Sequence, residues 1–254
     1  MTQTNTNCKI IVITSGKGGV GKTTTTANIG AGLAMKGYKV ALIDTDTGLR
    51  NLDLLLGLEN RIMYDLVDVT SGKIPYKKAL VRHKKYETLF LLPTSQTKDK
   101  LAVSPEQVVA LCSEMSADFD FILIDCPAGI EQGFKTAVAA ADIALVVTMP
   151  EISAVRDADK IIGELNRADK ENILLIVNRI RPDMVAKGEM LDLDDINDIL
   201  AIKCIGQIPD DEMVVSSTNR GEPVIANTKS QAGIAYQNIT RRLCGEDVPF
   251  MTFR

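Results

Sequence analysis

The stretch KIIVITSGKGGVGKTTT, Lys9 to Thr25, decides the fold. Within it Gly16-Lys17-Gly18-Gly19-Val20-Gly21-Lys22-Thr23 satisfies G-x-x-x-x-G-K-[ST], the phosphate loop of nucleoside-triphosphate-binding proteins. Glycines let backbone N–H groups turn inward around the β- and γ-phosphates without a Cβ clash. In that pattern Lys22 reaches the phosphates and the Thr23 hydroxyl sits on Mg²⁺. An apolar run, Ile10 to Ile13, precedes the loop, and a helical stretch, Thr23 to Met35, follows it. Strand, loop and helix in that order set the phosphates at a positive helix end. A chance glycine-rich turn would have no reason to sit in such a context.

Working outward, acidic residues close two further apolar runs. Phe121-Ile122-Leu123-Ile124-Asp125 has the form of a Walker B strand, and a carboxylate at a strand tip can hold Mg²⁺ through a water. Ala41-Leu42-Ile43-Asp44-Thr45-Asp46 ends in two carboxylates. The alternation of a strand would point both to one side, toward the phosphates, with Asp46 the better placed to position an attacking water. Lys17 adds a second cation to the loop. Its own backbone geometry makes a contact to phosphate in the same chain awkward, so it is either a solvated lysine or one that acts across an interface.

Further strands are predicted at Leu89–Leu92, Ile143–Thr148, Ile173–Asn178 and Cys204–Ile208, several of them continuous apolar runs suited to burial on both faces. Helices are predicted over Pro105–Met115, Ser153–Arg167, Leu193–Leu200 and Gly233–Leu243, the third opened by Asp192 and Asp195. The alternation predicts an α/β fold: a doubly wound, mostly parallel sheet flanked by helices, with ligands at the carboxyl ends of the strands. A flexible segment, 1–8, is expected to precede a single phosphate-loop domain over 9–254.

The chain has 254 residues, 45% of them hydrophobic and 24% charged, enough for one sizeable core. A net charge of −4 argues against nucleic acid as the main partner. Its five cysteines are scattered with no CxxC pair, which fits reduced thiols in a cytosol and neither a disulfide framework nor a cysteine metal site. Met1 to Asn7 is unlike a signal peptide, and no run is long enough to span a membrane. His83, the only histidine, lies in Arg82-His83-Lys84-Lys85 and is expected to be an exposed loop residue.

The loop K-G-G-V-G-K-T resembles the deviant Walker A loop of the MinD/ParA family of ATPases. Gly48-Leu49-Arg50-Asn51-Leu52-Asp53, Gly57 to Arg61 and Tyr64-Asp65 are similar to the first switch of its septum-site-determining branch. Asp125-Cys126-Pro127-Ala128-Gly129-Ile130-Glu131 resembles the second switch. Pro150 to Asp157 resembles the regulator-binding helix, and Ser95 to Lys100 and Gly221 to Val224 extend the likeness, which runs from about residue 9 to 250. The resemblance implies an ATPase that forms a homodimer with ATP and Mg²⁺ and controls division-site placement. Gly16, Lys17, Gly18, Gly19, Val20, Gly21, Lys22, Thr23 and Thr24 would hold ATP or ADP, with Asn178, Arg179 and Pro209 around the base. Lys17 would act on the partner's nucleotide, Lys22 and Asp46 on their own, and Thr23, Asp46 and Asp125 would surround the metal. Asn51 and Gly129 belong to the switches. Glu151, Ser153, Asp157 and Asp159 would meet a MinC-like division inhibitor and a MinE-like ATPase activator.

The resemblance also implies a cytoplasmic protein, peripheral on the inner face of the cell membrane, or in the plastid stroma if plastid-encoded. Relatives usually end in an amphipathic helix that binds the membrane surface. This sequence ends at Pro249-Phe250-Met251-Thr252-Phe253-Arg254, too short for one, which reads as a shortened chain. Three rivals come from the same superfamily. A ParA-type partition ATPase would want a basic C-terminal stripe, where Arg220, Lys229, Arg241, Arg242 and Arg254 are only scattered. An iron–sulfur carrier would want a second cysteine near Cys126. A flagellum-positioning ATPase shares the loop and switches, and the septum-site likeness rests on Gly48–Asp53 and Tyr64–Asp65.

Overall fold

The structure is a computed structural model, and it describes residues 8–46, 51–95 and 103–252. The expected N-terminal segment up to Asn7, part of the first-switch stretch (Gly48 to Arg50), the Gln96–Lys100 stretch and the last two residues lie outside the described residues.

Among the described residues eight strands form one sheet: β1 Lys9–Thr14, β2 Val40–Asp44, β3 Val81–Arg82, β4 Leu89–Leu92, β5 Phe121–Asp125, β6 Ile143–Thr148, β7 Ile173–Ile180 and β8 Lys203–Pro209. Their order is β3-β4-β2-β5-β1-β6-β7-β8, parallel throughout except that β3 pairs antiparallel with β4. Helices are α1 Lys22–Met35, α2 Leu52–Leu55, α3 Leu66–Thr70, α4 Tyr76–Ala79, α5 Pro105–Met115 and α6 Gln132–Val138. They continue as α7 Ile152–Arg167, α8 Pro182–Ala186, α9 Leu193–Leu200, α10 Glu212–Thr218 and α11 Gln231–Leu243. The predicted doubly wound sheet is the fold observed.

Strand alternation divides the core in two. Val12 of β1 and Ile124 of β5 face a cluster covered by α5, α6, α7 and α9. Ile11 and Ile13 of β1 face the opposite cluster, with Leu33 of α1 and Tyr236 and Ile239 of α11. All these side chains are buried, so the central strands are apolar on both faces, as parallel strands under two helical layers must be. The α1 helix lies so close to β2 that a Cβ on Gly30 would come 2.6 Å from a Leu42 methyl. The same helix is tied to α11 by the buried Thr25–Tyr236 hydroxyl pair at 3.2 Å.

Sheet order fixes where a ligand goes. The connection from β1 leads through α1 to β2 on one side, while β6 flanks β1 on the other. The chain direction of travel therefore reverses beside β1, and the crevice opens at its carboxyl end, where Ser15 to Gly21 lie.

One expectation fails. His83 is buried, with 7% of its surface exposed, because the loop after β3 folds its ring inward against Tyr86. The rings stack with centroids 4.9 Å apart, and Nδ1 accepts the backbone N–H groups of Lys85 and Tyr86, each at 3.1 Å. Charged neighbours in sequence had suggested a solvated run, but those neighbours point out while the imidazole closes the turn.

Candidate nucleotide site

The loop between β1 and α1 is built for an anion. Gly19 and Gly21 have φ of 79° and 99°, the left-handed region that glycine enters without strain. Gly21 is the N-cap of α1; among the described residues no side chain caps that end, and no acidic residue stands in its first turn. The first amides of the helix are thus left to a ligand, at the positive end of its dipole. A Cβ on Gly21 would lie 2.3 Å from the Asn178 amide nitrogen, so that side chain packs directly on the loop. Asn178 donates to the Val20 carbonyl at 2.8 Å and accepts the Arg179 N–H at 2.9 Å.

A cavity of about 390 Å³ opens over the loop, lined by Gly18, Gly19, Gly21, Lys22, Thr23 and Thr24 on one side. Asp46, Asn51, Ala128 and Arg179 line the other. Arg179 is exposed and holds φ 57°, at an irregularity where β7 loses register with β8. The sequence missed Leu54, Leu55 and Thr218 as lining residues, because α2 and α10 are too short to show a period. A larger cavity, about 460 Å³, lies between β7, α8 and α9 and is mainly apolar. It carries none of the phosphate-loop residues, so size alone does not identify the ligand site.

Beneath the loop lies the acidic layer. Asp125 is buried at the tip of β5 and accepts the Thr26 hydroxyl at 3.1 Å and a bond from the Thr23 hydroxyl. Burial raises its carboxyl to about 6, and the Thr23 bond and Lys22 pull the other way. Thr26 went unnoticed in the sequence, though it sits four residues after Lys22 on the same helix face. Asp44 differs from expectation. It does not line the cavity with Asp46 but turns inward, fully buried, and accepts the Asp46 N–H at 2.9 Å. Burial first, then the charge of Asp125, hold its carboxyl well above the usual range. A cation bound by Thr23 and Asp125 would relieve both carboxylates, so the donor set fits magnesium.

Other expected residues stand apart from the cavity wall. Lys17 is exposed on the loop, and its carbonyl accepts the Ser15 hydroxyl at 2.8 Å. Gly129, with φ 90°, follows β5, and Pro209 is buried at the end of β8. Glu151, Ser153 and Asp159 are exposed at the start of α7. Asp157 is half-buried there, paired with Lys160 at 3.0 Å, and its backbone abuts the phosphate loop. A Cβ on Gly16 would meet the Asp157 carbonyl oxygen at 2.2 Å. Cys126 is buried, its Sγ directed to the Pro127 carbonyl, and so is not an interfacial ligand.

Residues 11–224 match the CobQ/CobB/MinD/ParA nucleotide-binding domain. A septum site-determining protein MinD of Synechocystis is 55% identical over 246 residues, covering 96% of this chain and 92% of that protein. The chain belongs to the MinD family. Members of this MinD/ParA group are ATPases. In the MinC:MinD cell division protein complex from Aquifex aeolicus, a chain 50% identical superposes with a TM-score of 0.91, covering 97% of this chain and 100% of that one. A MinD from Pyrococcus horikoshii, complexed with Mg-ADP, is 29% identical with a TM-score of 0.83, covering 93% of this chain and 96% of that one. Among the described residues no helix is long and apolar enough to cross a membrane.

Proposed function

We propose that this protein is an ATP-hydrolysing switch in division-site placement, whose two states are an ATP-bound homodimer and an ADP-bound monomer. The observation that carries the reading is the exposed Lys17 on a phosphate loop that already has Lys22 buried at its base. A second cation turned outward has no work in its own site but can stabilise phosphoryl charge in a facing copy. Backbone N–H groups of Gly18 to Gly21, with Lys22, hold the β- and γ-phosphates. Thr23 and Asp125 hold Mg²⁺, which supplies charge neutralisation when bound. Asp46, on the cavity wall, accepts a hydrogen bond from the attacking water and orients it toward the γ-phosphate.

Asn51 and Gly129 carry the γ-phosphate contact to the dimer face, so loss of that phosphate loosens it. Asn178 braces the loop, and Arg179 and Pro209 flank the base. The exposed start of α7, Glu151, Ser153, Asp157 and Asp159, receives a MinC-like inhibitor and a MinE-like activator. Asp157 also touches Gly16, which gives a bound partner a direct path to the phosphate loop. The dimer works at the inner membrane surface of the cytoplasm. Residues 9–254 act as one domain.

The test is the solution mass of Asp46→Ala with ATP and Mg²⁺ against ADP. A dimer only with ATP, lost on adding Lys17→Ala, is the expected result. Monomers with both nucleotides would overturn the switch.

A further inference from the structure

Arg179, near the end of β7, and Thr218, the last residue of α10, both line the nucleotide cavity. Beside them β8 ends at Pro209, tied to β7 where the Asp210 N–H donates to the Ile180 carbonyl at 2.8 Å. Apolar packing does not explain why α10 lies where it does. The helix has seven residues, and among the described residues Ser217 is its only buried side chain. Met213 and Val215 are exposed. A helix this short does not hold itself in water, so its place depends on tethers at its two ends.

Past its C-terminal end, the Ile225 N–H donates to Oδ1 of the buried Asn28 at 2.9 Å, and Asn28 donates to the Thr24 carbonyl at 2.8 Å within α1. At its start the tether is Asp211. Oδ1 accepts the Met213 N–H at 2.8 Å, which caps α10. Oδ2 accepts the Ser230 hydroxyl at 2.6 Å and the Ala232 N–H at 3.1 Å, at the start of α11. Ser230 is wholly buried and is itself the N-cap of α11, accepting the Gly233 N–H at 2.9 Å. One carboxylate thus serves two helix starts, each with free N–H groups and a positive dipole end. Burial disfavours its charge, but the Ser230 hydroxyl and the N–H groups of Met213, Ala232 and Gln231 outweigh that and hold the carboxyl below its ordinary range. The Thr25–Tyr236 hydroxyl pair then joins α11 to α1.

We propose that Asp211 is a positioning residue for the nucleoside part of the bound nucleotide, a role that rests on Arg179 and Pro209 flanking the base. By bridging the starts of α10 and α11 it sets Thr218 and the end of β8 against base and sugar. Asp211 acts only through these elements and touches no ligand itself. The phosphates are held by the 18–21 backbone and Lys22, which Asp211 does not contact, so their binding is independent of it.

Mg-ADP and magnesium pyrophosphate fill the same loop, and only the first has a nucleoside. Calorimetry gives the Kd of each for the full chain and for its Asp211→Ala and Asp211→Asn variants. ADP serves here because dimer assembly then does not enter. Asp211→Asn is isosteric and keeps one carbonyl oxygen, enough to cap one helix start, so it decides alone should Asp211→Ala not fold. ADP binding should weaken about tenfold in Asp211→Ala and about threefold in Asp211→Asn, while pyrophosphate binding stays within about twofold in both. A tie that served only the fold would lower the melting temperature and leave the ratio of the two affinities unchanged. Equal loss of both ligands in the folded variants, or loss of neither, would overturn the role of Asp211. Should the parent chain bind ADP no more tightly than pyrophosphate, the flanking of the base is itself wrong, and the role of Asp211 falls with it.

Discussion

His83 is where local sequence and tertiary structure disagree most, and the disagreement has a measurable sign. Burial, with Lys85, Lys84 and Arg61 adding repulsion, lowers its pKa to about 4. The unfolded chain has an ordinary histidine near 6.5. Between those values the unfolded state takes up a proton that the folded state refuses. Its contribution to stability is therefore intact above pH 6.5 and lost as pH falls toward 4, a change on the order of 2 kcal/mol after solvent screening. An NMR titration of the imidazole should show a midpoint near 4, and His83→Gln should flatten the pH-stability curve across that window. A midpoint near 6.5 would mean the ring is not closed into its turn. Asp44 and Asp125 have the opposite lean, since both gain by being neutral in the folded chain, and that cost is the mark of a site made to receive a cation.

At the scale of elements, legibility followed the length of the apolar run. β1, β2, β5 and β6 each hold four or five residues of unbroken hydrophobic sequence, and their bounds were readable to within a residue. So was α9, because Asp192 and Asp195 form a reciprocal capping box. The phosphate loop and the Asp125 strand tip were legible for the same reason: each is a local pattern with a local cause. β3, two residues long, was invisible, since it exists only by pairing with β4. The inward turn of Asp44 and the bracing role of Asn178 were invisible too, as both depend on partners far off in sequence. Edge strand β8 offers a further case. Arg242 of α11 donates to the Ile205 carbonyl of β8 at 2.9 Å and to the carbonyls of Val248 and Pro249 at 2.9 and 2.7 Å. Its guanidinium sits 4.3 Å from the Phe250 ring centre. One planar fork thus straps the chain end to the sheet edge, and a lysine cannot reproduce it. Arg242→Lys should cost about 1–3 kcal/mol in urea unfolding and expose the 248–252 segment to proteolysis. Unchanged protection of that segment would show the strap is held by other contacts.

Across the whole molecule, the question is whether two cores on opposite faces of one sheet melt as one. Ile13 and Ile124 test it, since they are the same residue type, both wholly buried, on the adjacent strands β1 and β5 but on opposite faces. If the helical layers were separable, Ile13→Ala would loosen α1 and α11 and leave α5 to α7 in place, and Ile124→Ala would do the reverse. The sheet argues against that. Its central strands have no face that survives exposure, so stripping either layer uncovers a continuous apolar surface that water penalises. The strands themselves cannot hold register with one face wet, because their alternation gives no polar side to turn outward. Each substitution should therefore destabilise the entire chain by about 2–5 kcal/mol, the usual range for removing a buried isoleucine to alanine. Calorimetry should record one transition moved to lower temperature, and circular dichroism and hydrogen exchange in both layers should follow it together. Two resolved transitions in either variant would divide 9–254 into units that fold apart, and the coupling from α7 to the phosphate loop would then have to cross a boundary instead of a single core.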